Sequence, residues 1–158
     1  MNASEVLDRY WDGCLPVDVV GIAQRMGLAV ESVDVLDNGA SGEIEQAADG
    51  SFVIRFVRAE PEVRQRFTVA HEIGHFALGH LRGSQRMFRD SVADFSTGAR
   101  GLERQANAFA AALLMPARIV EYVLAHKDIA SDAALARHFA VSGVALKYRL
   151  RDLGLTSI

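Results

Sequence analysis

The stretch Arg66-Phe67-Thr68-Val69-Ala70-His71-Glu72-Ile73-Gly74-His75-Phe76-Ala77-Leu78 decides how the rest of the chain is read. It contains a His-Glu-x-x-His pattern. At about 100° per residue a helix puts His71 and His75 on one face a turn apart, where two imidazoles can reach one metal ion. Glu72 flanks that face, and a carboxylate there can take a proton from an attacking water, the general base that zinc-dependent peptide hydrolysis requires. Val69, Ala70, Ile73, Phe76, Ala77 and Leu78 surround the polar triplet. Burying three ionisable groups in such a helix is costly unless something compensates them, and a dication would. The plain alternative is two histidines four apart on a buried helix, each satisfied by a local hydrogen bond.

A catalytic zinc needs a third protein ligand and a free position for water. His80 lies roughly 160° around the same helix from the midpoint of His71 and His75, so it is expected to face away. Leu78 and Leu81 stand where the metzincin pattern needs glycine and histidine. Glu103 is the better candidate, in Leu102-Glu103-Arg104-Gln105-Ala106-Asn107-Ala108-Phe109-Ala110-Ala111-Ala112-Leu113-Leu114-Met115-Pro116, a second helix ended by its proline. Glu103, Ala106, Asn107 and Ala110 share one face, and the histidine helix offers a matching small stripe in Ala70, Gly74 and Ala77. Asn107, one turn beyond Glu103, could orient a ligand. Glu103 reads equally well as a solvated carboxylate in a helix's first turn, favoured there by the helix dipole.

These two segments together resemble the ImmA/IrrE family of bacterial and phage metallopeptidase-like proteins. About half the chain carries the resemblance densely. It implies a zincin-like α+β fold and a gluzincin-like zinc site, with His71, His75 and Glu103 as ligands and Glu72 as catalytic base. It further implies site-specific cleavage of a partner helix-turn-helix transcriptional repressor, releasing genes for stress response or mobile-element transfer. Longer relatives add an amino-terminal DNA-binding domain or a carboxy-terminal sensor domain, and neither pattern is found in this sequence.

With 158 residues, half of them hydrophobic, the sequence suits one domain, or a domain with a small appendage, whose core needs no metal to fold. A net charge of −3 with both signs interspersed gives no overall footprint for nucleic acid. Cys14 stands alone, which excludes a disulfide framework and suggests a small core residue. No basic start followed by an apolar run opens the chain, and no stretch is apolar enough to span a bilayer, so a cytoplasmic protein without membrane association is expected.

Taken in order, Ser4 can cap a short helix through Trp11, and Pro16 opens a second running to about Met26, closed by Gly27. Val19, Val20, Ile22, Ala23 and Met26 give that helix an apolar stripe for the core. Leu28–Leu36, Ser41–Gln46 and Ser51–Val57 read as strands, the last two joined by an Ala48-Asp49-Gly50 hairpin turn. The expected sheet is small, three-stranded and mainly antiparallel, laid against the helices. An exposed edge of it could hold substrate as an added strand. Gly39-Ala40-Ser41-Gly42 would admit a close backbone there, or serve only as a turn.

Pro61 starts the histidine helix, expected to run to about Leu81 before Gly83. Arg82 to Gly101 reads as a polar loop and a candidate for substrate selection. A helix from Ala117 to His126 follows, with His126 favoured by the carboxyl end. Residues 1–127 thus form the peptidase-like domain, and 128–158 a helical helix-turn-helix-like segment packed on it. There Val141-Ser142 supplies turn and cap, with Lys147, Arg149 and Arg151 on the second helix. Three basic residues beside Asp152 offer few phosphate contacts, so packing or partner recognition is favoured over direct nucleic-acid binding. An electrophile for a tetrahedral oxyanion is open among Tyr122, His126, His138 and Tyr148.

Overall fold

The computed structural model describes residues 1–81, 86–89, 97–126 and 128–155. Helix α3, Glu62–Ala77, carries the two histidines. It packs on one side against α4, Thr97–Leu114, and on the other against strands β2, Gly42–Gln46, and β3, Phe52–Val57. Helices α1, Ala3–Tyr10, and α2, Val19–Arg25, precede strand β1, Ala29–Val33, and pack on α4 and α3 respectively. After α4 come α5, Ala117–His126, α6, Asp132–Phe139, and α7, Gly143–Asp152. The class is the expected α+β.

The sheet has a fourth strand, β4, Arg86–Arg89, inside the segment read as a loop. Its residues, Arg86-Met87-Phe88-Arg89, show no apolar–polar alternation, so no strand periodicity appears in the sequence. The order is β1-β3-β2-β4, with β1 parallel to β3 and both other pairings antiparallel. Strand β2 is therefore interior, so the edge expected beside Gly39–Gly42 for an added strand does not exist there. The rest of the Arg82–Gly101 segment up to residue 96, the candidate for substrate selection, lies outside the described residues.

Alternation assigns the two sheet faces. Ile44 and Ile54 are cross-strand partners, both fully buried, on the face toward α3. On the other face Arg55 bridges Glu31, Glu43 and Glu45 at 3.1, 2.9 and 3.4 Å, tying three strands together. Between β1 and β2 a short 3-10 turn, Asp37–Gly39, uses positive φ at Asn38 and Gly39. Gly42 serves a different purpose: a Cβ there would overlap the Thr68 methyl, so what its missing side chain admits is the Thr68 side chain of α3.

Several boundaries differ from the sequence reading. Asn2, not Ser4, caps α1 in a capping box with Glu5, because its side-chain oxygen reaches the Glu5 N–H at 2.9 Å. Helix α2 starts at Val19 behind Asp18, whose carboxylate accepts from the Gly21 N–H at 2.9 Å, a bond that Pro16 cannot make. Cys14 is exposed in the loop between these helices, not in the core. Helix α3 ends at Ala77, a turn short of Leu81, because Gly79 takes φ +75° and reverses the chain. Helix α4 begins earlier than Leu102.

The carboxy-terminal pair belongs to the common core: Leu135, Phe139, Leu146 and Leu150 are buried in the same cluster as Ile73 and Leu113. Ser142 caps α7 through the Ala145 N–H, and Arg149 donates from Nε to the Met115 carbonyl at 3.0 Å. One of the three basic residues is thereby committed to packing. No single described helix is long and apolar enough to cross a membrane.

Candidate metal centre

His71 and His75 are fully buried on α3, with Nε2 atoms 3.0 Å apart. Glu103, on α4, closes the group: Oε2 lies 3.0 Å from His71 Nε2 and Oε1 lies 3.0 Å from His75 Nε2. One donor atom from each residue falls within 4.8 Å of the others. Small residues make this convergence possible. A Cβ on Gly74 would meet Phe109 at 3.0 Å, and Ala70, Ala106 and Ala110 are fully buried, so the two helices approach closely along the matching stripes.

The electrostatics suit a cation. Burial raises the Glu103 carboxyl, but positive charge at Nε2 of His71 and His75, where a bound cation would sit when the rings themselves are neutral, outweighs it through hydrogen bonds and charge and holds the group at about 2. Glu103 is thus ionised throughout the neutral range. Asn107 Oδ1 lies 2.8 Å from His71 Nδ1, and because an amide oxygen only accepts, that nitrogen carries the proton. The neutral ring then points a bare Nε2 lone pair at the Glu103 carboxylate. Lone pairs 3.0 Å apart repel unless a proton or cation lies between them. Bonds of about 2.0–2.1 Å in tetrahedral geometry space donors about 3.3 Å apart, within a few tenths of an ångström of these distances. The three side chains form a group that could hold a metal ion.

Glu72 is fully buried, and its carboxylate lies toward β2: Oε1 would sit 3.4 Å from a Cβ on Gly42. Its place is therefore between the histidine pair's helix and the sheet. A cleft of about 740 Å³ is lined by Arg64, Phe67, Arg104, Asn107, Tyr148 and Arg151, among others, so it reaches the two α4 residues that neighbour Glu103. Of the four candidate electrophiles, Tyr148 lines this cleft. Tyr122 stacks on His126 at 4.4 Å between ring centroids, and His138 packs edge-on against Phe139 at 5.3 Å.

His80 does not face away. With α3 ended at Ala77, the His80 N–H bonds back to the His75 carbonyl at 2.9 Å, the six-to-one bond of a glycine-terminated helix. The imidazole comes back with it: His80 Nδ1 lies 2.9 Å from His75 Nδ1, and His80 Nε2 lies 2.8 Å from Gln105 Oε1. Burial and the nearby His75 charge hold His80 below its ordinary value against the bond to Gln105. Sequence reasoning missed both residues at the centre. The signal was available in Leu78-Gly79-His80, where glycine marks the helix end.

A family model described as the IrrE N-terminal-like domain, a peptidase family, matches residues 23–151. The chain belongs to this family. The matched span includes His71, Glu72, His75, His80, Glu103, Gln105 and Asn107. Among curated proteins, none matches this IrrE-like chain significantly in sequence. Among solved structures it resembles a Mycobacterium tuberculosis transcriptional regulator, with a TM-score of 0.62 and 23% identity over 94% of this chain. The IrrE-like chain covers 44% of that regulator, and at such identity the likeness is one of fold.

Proposed function

We propose that this IrrE-like protein is a zinc-dependent endopeptidase. Its substrate would be a partner helix-turn-helix repressor, cut at one site to relieve repression of stress-response or mobile-element genes. The observation that carries the reading is the meeting of His71, His75 and Glu103 beside a fully buried Glu72, in a member of a peptidase family. In this reading His71, His75 and Glu103 hold zinc, which when bound polarises the scissile carbonyl and acidifies water. Glu72 takes the proton of the attacking water and passes it to the leaving amine nitrogen. Asn107 keeps the His71 proton on Nδ1 so that Nε2 stays available. The cleft bordered by Arg104, Asn107 and Tyr148 receives the substrate chain. Residues 1–127 supply the peptidase unit, and 128–158 buttress the cleft through α7 rather than reading DNA.

The test has two parts. Elemental analysis of the parent, His71→Ala and Glu103→Ala proteins should find zinc near one per chain in the parent alone. Candidate repressors encoded beside the gene should then be cleaved by the parent and, at a rate about 10²–10⁴-fold lower, by a Glu72→Gln protein that still carries zinc. A parent that takes up no zinc after repletion, or a Glu72→Gln protein that cleaves as fast as the parent, would overturn the proposal.

A further inference from the structure

A continuous chain of side-chain contacts runs from α4 through the turn after α3 and back to the centre. Gln105 Oε1 is 2.8 Å from His80 Nε2, His80 Nδ1 is 2.9 Å from His75 Nδ1, and His75 Nε2 is 3.0 Å from Glu103 Oε1. Each link fixes the next. An amide oxygen has no proton to give, so the proton on the first link belongs to His80 Nε2. A neutral imidazole protonated there has a lone pair on Nδ1, so the proton between the two Nδ1 atoms comes from His75. A neutral His75 protonated at Nδ1 then presents a bare Nε2 toward His71 and Glu103. We propose that Gln105 and His80 are positioning residues that set the tautomer of His75, keeping its Nε2 lone pair aimed at the metal.

The inference deepens the metal-centre reading and rests on it. Asn107 orients His71 directly from α4. His75 receives the same service from Gln105 through one intervening ring, so a single helix supplies a ligand and both tautomer controls. The backbone makes the intervening ring possible: Gly79 at φ +75° lets the chain reverse, and the His80 N–H to His75 carbonyl bond pins the two rings on one side. Without this chain the His75 proton is free to sit on Nε2, and it must leave that nitrogen before a metal can bind there.

The test uses Gln105→Met, which keeps side-chain length and removes the acceptor, Gln105→Glu, which keeps an acceptor oxygen, and His80→Phe. Gln105 is exposed, so neither change at it disturbs the core. Zinc affinity by chelator competition should fall about 10–100-fold in Gln105→Met and His80→Phe, and stay within about 3-fold of the parent in Gln105→Glu. Imidazole ¹H–¹⁵N spectra of the zinc-free parent at about pH 8, where free histidine is neutral, should show the His75 proton on Nδ1. Gln105→Met should give a mixture with the Nε2–H form. Parent-like zinc affinity in both Gln105→Met and His80→Phe overturns the proposal, as does a His75 Nε2–H form in the parent. Equal losses in Gln105→Met and Gln105→Glu would assign the effect to packing and overturn it too. A parent that binds no zinc refutes the metal centre itself, while its zinc-free spectrum still decides the hydrogen-bond chain.

Discussion

Gly42→Ala should destabilise the protein through one identifiable overlap. The new Cβ would sit inside contact distance of the Thr68 Cγ2 methyl by more than an ångström, taking ordinary carbon–carbon contact as about 3.5 Å. Behind it, the Arg55 carbonyl lies 3.2 Å away and cannot retreat, because β3 is bonded in register to β2 along its length. Thr68 is 1% exposed on α3, and its branched side chain has few alternative rotamers in a helix. Overpacking of this kind costs about 1–3 kcal/mol, and the loss of glycine's freedom in the unfolded chain returns about 0.4–1 kcal/mol. A net loss of about 1.3 kcal/mol should lower Tm by about 3–5 °C in a chain of this length.

The assay is a double-mutant cycle with Thr68→Ser, which removes Cγ2 and keeps the hydroxyl. Thr68→Ser alone should cost about 1 kcal/mol for the buried methyl. If the methyl is the obstacle, the double variant should be no less stable than Thr68→Ser, a coupling of about 1.3 kcal/mol. Additive losses would refute the reasoning, as would a Gly42→Ala protein within about 0.5 kcal/mol of the parent. Zinc content should be unchanged in Gly42→Ala, because none of His71, His75 and Glu103 lies on β2.

Gly74→Ala sets a gain in helix propensity of about 1 kcal/mol against contact with Phe109 at 3.0–3.2 Å, which includes the ring's own Cβ and so forces α3 and α4 apart. Thermal melts should show a net loss of about 1 kcal/mol, and chelator competition weaker zinc binding if the proposed site holds zinc, since His71, His75 and Glu103 lie on the two separating helices. Asn107→Ala should weaken zinc binding about 10–100-fold while leaving Tm of the zinc-free protein within a few degrees, because Asn107 is exposed and its contact is with His71. Arg149→Met should cost about 1–2 kcal/mol in denaturant unfolding, because the half-buried guanidinium no longer donates to the Met115 carbonyl.

Local rules carried the sequence reading where one segment decides its own structure. The spacing of His71 and His75 puts them on one helical face whatever lies around them, and Ser142 caps α7 with its own hydroxyl. The small stripes on α3 and α4 anticipated the close helix contact that brings Glu103 to the histidines. Strand β4 was not legible, because among the described residues it pairs with β2 alone, and pairing across some 40 residues leaves no mark in Arg86-Met87-Phe88-Arg89, which shows no apolar–polar alternation. The edge beside Gly42 failed for the same reason: whether a strand is interior depends on what else pairs with it.

His80 shows how a single boundary propagates. Continuing α3 to Leu81 puts His80 on the far side of the helix, and choosing Gly83 over Gly79 as the terminating glycine makes that continuation. Gly79 is the better terminus on physical grounds. A glycine inside a helix costs about 1 kcal/mol relative to alanine, whereas one just past the last turn relieves the left-handed conformation that the helix end requires. Once it ends the helix, the next residue's N–H returns to the carbonyl four positions before the glycine, and in this chain those two residues are His80 and His75. The same backbone bond that terminates the helix therefore sets a second imidazole edge-on against the first, with ring centroids 5.1 Å apart. An apolar pair usually fills this place at a helix end, and its replacement by two histidines, one of them 2.8 Å from Gln105, is what brings a helix stop up against the candidate metal centre.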